Sequence, residues 1–224
     1  MSSPHARRGG PPLLAPALAW AALTIVAAVL HPGTRPGADP AGTLALLRDH
    51  PVSAQLSALA LLASAAPFAV WVATAHHRLH RLGLRVAGPT LGLAGGLLAA
   101  AALVMSGAAQ WAAVAAAVPG GEAAVAGLNG LSFALGGPAF VVMVGLLLAG
   151  CSVPTLLAGL VPRGLAWAGL VLAAVAVVAV VGMAVPPLQY LLPVVRFGGL
   201  VWLVWFSAVL PVSRRRVAEP EVVA

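Results

Sequence analysis

Apolar stretches of about twenty residues, separated by short breaks rich in arginine, proline and glycine, run from end to end of this chain of 224 residues. The pattern predicts membrane-crossing helices over 13–30, 52–75, 86–111, 128–150, 165–186 and 190–212. An α-helix rises ~1.5 Å per residue, so each stretch crosses or nearly crosses ~30 Å of hydrocarbon. The first is the shortest and carries Pro16 near its start, where proline is tolerated. A cleaved signal peptide is its rival reading. No small-x-small cleavage site follows Leu30, and Gly9, Gly10, Pro11 and Pro12 after Arg7 and Arg8 depart from a twin-arginine signal, so an uncleaved helix is expected. The expected fold is all-α: a polytopic bundle of six transmembrane helices over 13–212, with tails at 1–12 and 213–224. The longest break, HPGTRPGADPAGTLALLRDHP at 31–51, reads as irregular in its first half. TLALLRDH then predicts a short interfacial helix before Pro51.

Composition agrees with a membrane setting. Hydrophobic residues make up 61% of the chain and charged residues 8%, against about 25% charged in an ordinary soluble domain. Mean hydropathy is +1.02. Net charge is +7 and every basic residue is arginine. In a soluble protein that balance would suggest nucleic acid. Here the arginines gather at span ends and no aromatic-interleaved basic patch is present for stacking bases, so no nucleic-acid partner is expected. Arg7, Arg8, Arg78, Arg81, Arg85, Arg163, Arg214, Arg215 and Arg216 fall on one side of the predicted bundle, against Arg35 and Arg48 on the other. The excess predicts that both termini are cytoplasmic, in the inner membrane of a bacterium. Asp39, Asp49 and Glu122 then lie outside, and Trp71, Trp111 and Trp167 sit near span ends as interfacial anchors would.

Candidate chemistry is sparse. HHRLHRLGLR, 76–85, places His76, His77, Arg78, His80, Arg81 and Arg85 on one arc of a helix and Leu79 and Leu82 on the other, with Leu84 as an exception. His76 and His80 could share a metal ion, but a stable site needs more ligands than this segment supplies, and its arginines repel a cation. All six histidines lie at ends, loops or tails, which disfavours haem. Cys151 is the single cysteine, excluding an intrachain disulfide and a four-cysteine metal site. No metal and no cofactor are expected. The spans hold no paired carboxylates, and no Walker loop, Gly-x-Ser-x-Gly or dinucleotide fingerprint occurs, so catalysis is not expected.

Three features stand out inside the spans. Gly88, Gly92 and Gly96 repeat every four residues, a stripe for close helix approach within the bundle or, alternatively, for a second copy or membrane partner. FALGGPAF, 133–140, sets Gly136, Gly137 and Pro138 near the middle of a span, and Pro67 interrupts another, predicting kinks. Arg196 is the lone charge inside a predicted span, an arrangement that costs ~2.5–3.5 kcal/mol at mid-membrane. It lies ~9 Å beyond Tyr190, near enough to snorkel outward. Gln55, Gln110, Asn129, Ser132 and Gln189 also map to outer helix ends, so a polar pocket is the alternative, with Arg196 binding an anionic group such as a lipid headgroup.

GLVPRGLAWAGLVLAA at 159–174, followed by LLPVVRFGGLVWLVWF at 191–206, resembles a family of six-helix integral membrane proteins from GC-rich bacteria. The resemblance covers about residues 128–212 and implies a six-helix membrane protein without assigned reaction or ligand. It draws attention to Arg163, Arg196, Phe197 and Trp202 without giving any of them a role. The leading expectation is a non-enzymatic accessory, lipid-interacting or regulatory membrane protein. The alternative is a small-solute transporter with an outward-facing pocket around Arg196. A sealed, packed centre favours the first and a water-accessible path the second.

Overall fold

Proline, aspartate and glycine mark where the helices start and stop. In the computed structural model, which describes residues 12–34 and 39–213, α1 spans Leu14–Leu30. Asp39 then caps the short α2, Pro40–Asp49, its carboxylate accepting from the Ala41 and Gly42 amides. Pro51 opens α3, Pro51–Arg81, at a position that needs no amide donor. Gly83 ends it in the left-handed conformation: its amide bonds the His80 carbonyl and the Leu84 amide bonds that of Leu79. That is a Schellman stop, a geometry glycine adopts without a Cβ clash. α4 follows over Ala87–Ala115.

The next helix is interrupted. α5, Glu122–Ala134, runs into a π turn over Leu135–Ala139 and continues as α6, Phe140–Leu157. α7 covers Arg163–Val180, and two 3₁₀ turns, Val181–Met183 and Pro186–Tyr190, lead into α8, Leu191–Val209. No strand occurs among the described residues. Among the described residues, five helical segments are long and apolar enough to cross a membrane: Pro51–Arg81, Ala87–Ala115, Glu122–Leu157, Arg163–Met183 and Pro187–Val209. α1, with 17 residues, is shorter, at ~26 Å. The expected tails, with Arg7, Arg8 and Arg214–Arg216, and Arg35 in the first loop, lie outside the described residues.

The long helices alternate in direction and close a ring. α3 lies between α1 and α4, α6 between α4 and α7, and α8 returns from α7 to α1. Trp20, Phe68, Trp71, Phe140, Phe206, Leu103, Leu147, Leu148 and Leu203 fill the centre and are fully buried. At one end, α2 buries Leu44 and Leu47 against Ala54, Ala113 and Val125. This explains why α5 starts at Glu122, earlier than the hydropathy pattern indicates: its first turns pack on α2 beyond the main bundle.

The glycine stripe is filled by the same chain. A Cβ on Gly150 of α6 would lie 2.5 Å from the Gly92 amide nitrogen and 2.6 Å from the Gly88 carbonyl oxygen. The space beside Gly96 belongs to Val72 of α3. α4 therefore meets α6 nearly backbone to backbone.

Two expectations need correction. Trp71 is not an interfacial anchor: it is buried, and its indole N–H donates to Ser207 Oγ at 2.6 Å, tying α3 to α8. Trp111 and Trp167 are exposed to the bundle's surroundings as expected. Arg78 does not share the exposed polar arc of 76–85. It is buried on the face of Ala75, Leu79 and Leu82, and its guanidinium donates to the Leu210 carbonyl at the end of α8, 3.4 Å away. A cation there satisfies a helix-terminal carbonyl.

Candidate functional site

The π turn creates the acceptor around which the site is built. Pro138 has no amide, and the Phe140 N–H bonds the Leu135 and Gly137 carbonyls. In a regular α-helix that N–H would bond the carbonyl of Gly136. The Gly136 carbonyl instead accepts from Arg196 Nη1 at 2.9 Å. The same guanidinium carbon lies 5.2 Å from the centre of the Phe140 ring, the first residue after the turn. The half-buried Arg196 thus joins α8 to the break in the α5–α6 helix.

Glycine is required at 136 for packing. A Cβ there would collide with Ser106 Oγ of α4. Ser106 and Ser132 hold this contact reciprocally: Ser106 Oγ donates to the Ser132 carbonyl at 2.8 Å, and Ser132 Oγ to the Ser106 carbonyl at 3.0 Å. Gly136, expected only as part of a kink, thus packs on Ser106 and offers its carbonyl to Arg196, while Ser132, expected in the Arg196 pocket, is paired with Ser106.

A second polar group comes from the loop after α1. Thr34 Oγ1 donates to Asn129 Oδ1 of α5 at 2.9 Å. His31 Nδ1 accepts from the Gly33 amide at 3.0 Å, with Gly33 in a left-handed turn, φ +83°. His31 Nε2 lies 3.5 Å from Thr34 Oγ1. Burial, and then the positive charge of Arg196, hold the His31 pKa below its usual 6.5. Thr34 thus links the loop after α1 to Asn129 of α5.

The remaining predicted site residues separate from this group. Gln110 is buried and donates to Ser57 Oγ at 3.0 Å, which in turn donates to the Ala27 carbonyl at 2.8 Å. That chain fastens α4, α3 and α1. Gln189 donates to the Gly182 carbonyl at 3.2 Å, closing the loop between α7 and α8. Gln55 is exposed, with no hydrogen bond to the Arg196 group. The sequence reading missed His31 and Thr34. The available signal was a histidine and a threonine three residues apart directly after a span.

At the opposite end, the His76 ring nitrogen Nδ1 lies 3.0 Å from the Pro89 carbonyl, and the His76 and His80 rings meet edge to face with centroids 4.4 Å apart. No group of three or more His, Cys, Asp or Glu placed to hold a metal occurs among the described residues. Cys151 is buried in α6 facing Gly92.

Among the described residues no carboxylate is paired with the Arg196 guanidinium, which bonds the Gly136 carbonyl. α1, α3, α4, α6, α7 and α8 contain no Asp or Glu. Glu122 begins α5, 14 residues before Gly136 or ~21 Å along the helix. A guanidinium carries five N–H donors in a planar fork, and the Gly136 carbonyl takes a bond from Nη1. Such a set suits an oxyanion. Comparison with protein-family models, curated proteins and solved structures returns no match.

Proposed function

We propose that this chain is a multi-pass protein of the bacterial inner membrane with both termini cytoplasmic, related to the six-helix family that residues 128–212 resemble, and that Arg196 holds an oxyanion in the outer half of the bundle. Its role is non-enzymatic: an accessory, lipid-interacting or regulatory protein that retains an anionic group. The observation that carries this is a guanidinium fixed on the Gly136 carbonyl and the Phe140 ring, with no Asp or Glu on its own helix. Burying such a charge is costly unless an anion compensates it. The aromatic and leucine-filled centre supports holding over passage, because the Trp20, Phe68 and Phe140 rings pack successively in tilted contacts, with centroids 4.9 and 6.0 Å apart.

The shared ligand chemistry is an oxyanion, either a lipid headgroup or a free solute. Phosphatidylglycerol and sulfate, added separately to the detergent-solubilised protein, distinguish the two through its thermal unfolding. Stabilisation by the lipid alone identifies a headgroup, and stabilisation by sulfate identifies a small anion. Arg196→Leu should remove either effect. No stabilisation of the unsubstituted protein by either probe contradicts the proposal.

A further inference from the structure

We propose that Arg196 receives its oxyanion on an apolar chain, through the flank of α8, and that Phe133 and Leu192 select this class of ligand by shutting the guanidinium off from the polar end of the bundle. The inference rests on the membrane and anion readings above and names the class of the ligand.

Both approaches along the bundle axis are closed by apolar side chains. Towards the end that carries α2, Leu192 stands one turn before Arg196 on the same face of α8 and is buried. Phe133 stands one turn before Gly137, at the end of α5, and packs against the core that contains Leu192. The two meet across Gly137: a Cβ there would lie 3.5 Å from Leu192 Cδ1 and 3.6 Å from Phe133 Cε2. Gly137 directly follows the residue whose carbonyl Arg196 holds at 2.9 Å. The polar pairs at this end, Thr34 with Asn129 and Gln189 with Gly182, therefore lie beyond an apolar pair. In the other direction the Phe140 ring lies 5.2 Å from the guanidinium carbon and continues into Phe68 and Trp20, at ring separations of 6.0 and 4.9 Å.

Sideways the arginine is not closed in. Leu192, Val195, Gly199 and Leu203 form the buried stripe of α8, and Val194, Phe197 and Val201 its exposed one. Helical spacing sets Arg196 between the two stripes, with Pro193 and Leu200 on either side of it along the same flank. Pro193 is exposed, and Arg196 and Leu200 are half-buried. With both axial directions closed, the accessible part of Arg196 opens onto that flank. In a membrane such a flank meets acyl chains.

This approach separates two kinds of oxyanion. A free inorganic anion would have to shed its hydration along an apolar path before reaching any donor, which is costly. An oxyanion at the end of an apolar chain keeps its chain among the acyl chains and turns only its charge inward. Nη1 serves the Gly136 carbonyl, and Nε and Nη2 can present two parallel N–H donors to the arriving oxygens.

Phosphatidylglycerol and glycerophosphoglycerol share one phosphodiester headgroup and differ in the acyl chains. Each is titrated into the full-length protein in an uncharged detergent, with binding read by native mass spectrometry. The unsubstituted protein should bind the lipid at least about tenfold more tightly than the deacylated headgroup, a difference that burial of about two methylene groups supplies, and Arg196→Leu should lose the lipid. Phe133→Ala and Leu192→Ala open the axial approach, and each should bind the deacylated headgroup at least about tenfold more tightly than the unsubstituted protein does. Equal affinity of the unsubstituted protein for the two probes, or headgroup affinity unchanged in both alanine variants, overturns the inference and leaves the anion site standing. Lipid binding that is unchanged in Arg196→Leu, or no binding of either probe, overturns the anion reading and the inference together. Should neither alanine variant be recovered folded, the comparison of the two probes on the unsubstituted protein decides alone.

Discussion

Arg196 Nη1 and the Gly136 carbonyl oxygen meet at 2.9 Å, sixty residues apart in the chain, where α8 crosses the π turn between α5 and α6. A helix irregularity and a charge inside an apolar helix are thereby one structural unit. The turn redirects the Phe140 amide to neighbouring carbonyls and the arginine takes the carbonyl it leaves. Phe140 then presents its ring to the guanidinium from the first position of α6.

Gly136→Ala tests how closely this unit is packed. The added methyl collides with Ser106 Oγ and disturbs the reciprocal Ser106–Ser132 pair. We expect a loss of ~1–3 kcal/mol, the usual cost of overpacking, seen as a lower Tm in detergent. Ser106→Ala combined with Gly136→Ala removes the colliding oxygen and should recover part of that loss. A double variant no more stable than Gly136→Ala alone would place the strain elsewhere.

The α4–α6 contact makes a graded prediction. Gly150→Ala brings a methyl against the Gly92 and Gly88 backbone, where no side chain can move aside, so it should destabilise by about 2 kcal/mol or more. Gly92→Leu should disrupt folding or assembly for the same reason, whereas Gly92→Ala meets its nearest neighbours at 3.5 Å and should be mild. Gly130→Ala faces open space and should be neutral or slightly stabilising through helix propensity. Yield, size-exclusion profile and Tm of the four variants check the order. Equal behaviour of Gly150→Ala and Gly130→Ala would mean that α4 and α6 do not approach as described.

Orientation is open to chemical labelling. Cysteines introduced at positions 40 and 122 should react with an impermeant thiol reagent in intact cells, and one at position 80 only after permeabilisation. The buried Cys151 contributes no background. Reaction at position 80 in intact cells would reverse the orientation drawn from the arginine distribution.

How much of this was legible in the sequence depends on contrast. Hydropathy marks where apolar helices lie, and the helix before Pro51 was foreseen over TLALLRDH, whereas its start at Asp39 and Pro40 fell in the half read as irregular. The rotation of each helix was not legible. Core and outer faces are equally apolar here: Leu61 is buried while Leu62, one residue on, is exposed. Amphipathic periodicity therefore says little about which side faces inward. Trp71 and Arg78 were misplaced for that reason. Both are residue types expected at an interface, and both find their hydrogen-bond partners on α8, far away in sequence. Arg196 stood out because charge in an apolar stretch is rare. Its partner did not, because a π-turn carbonyl has no residue-type signature. Thr34 reaches Asn129, and His31 the Gly33 amide, through loop geometry, which hydropathy does not describe.

The central claim is that Arg196 holds an oxyanion through its planar fork, and native mass spectrometry of copurifying anionic lipid or small oxyanion tests it most directly. The unsubstituted protein, Arg196→Lys and Arg196→Leu are compared in the same detergent. Arginine offers two parallel donors to an oxyanion whereas lysine acts as a point charge, so retention should be highest in the unsubstituted protein, reduced in Arg196→Lys and absent in Arg196→Leu. Equal retention by all three folded proteins would contradict the claim and leave Arg196 as a structural tie between α8 and the Gly136 carbonyl.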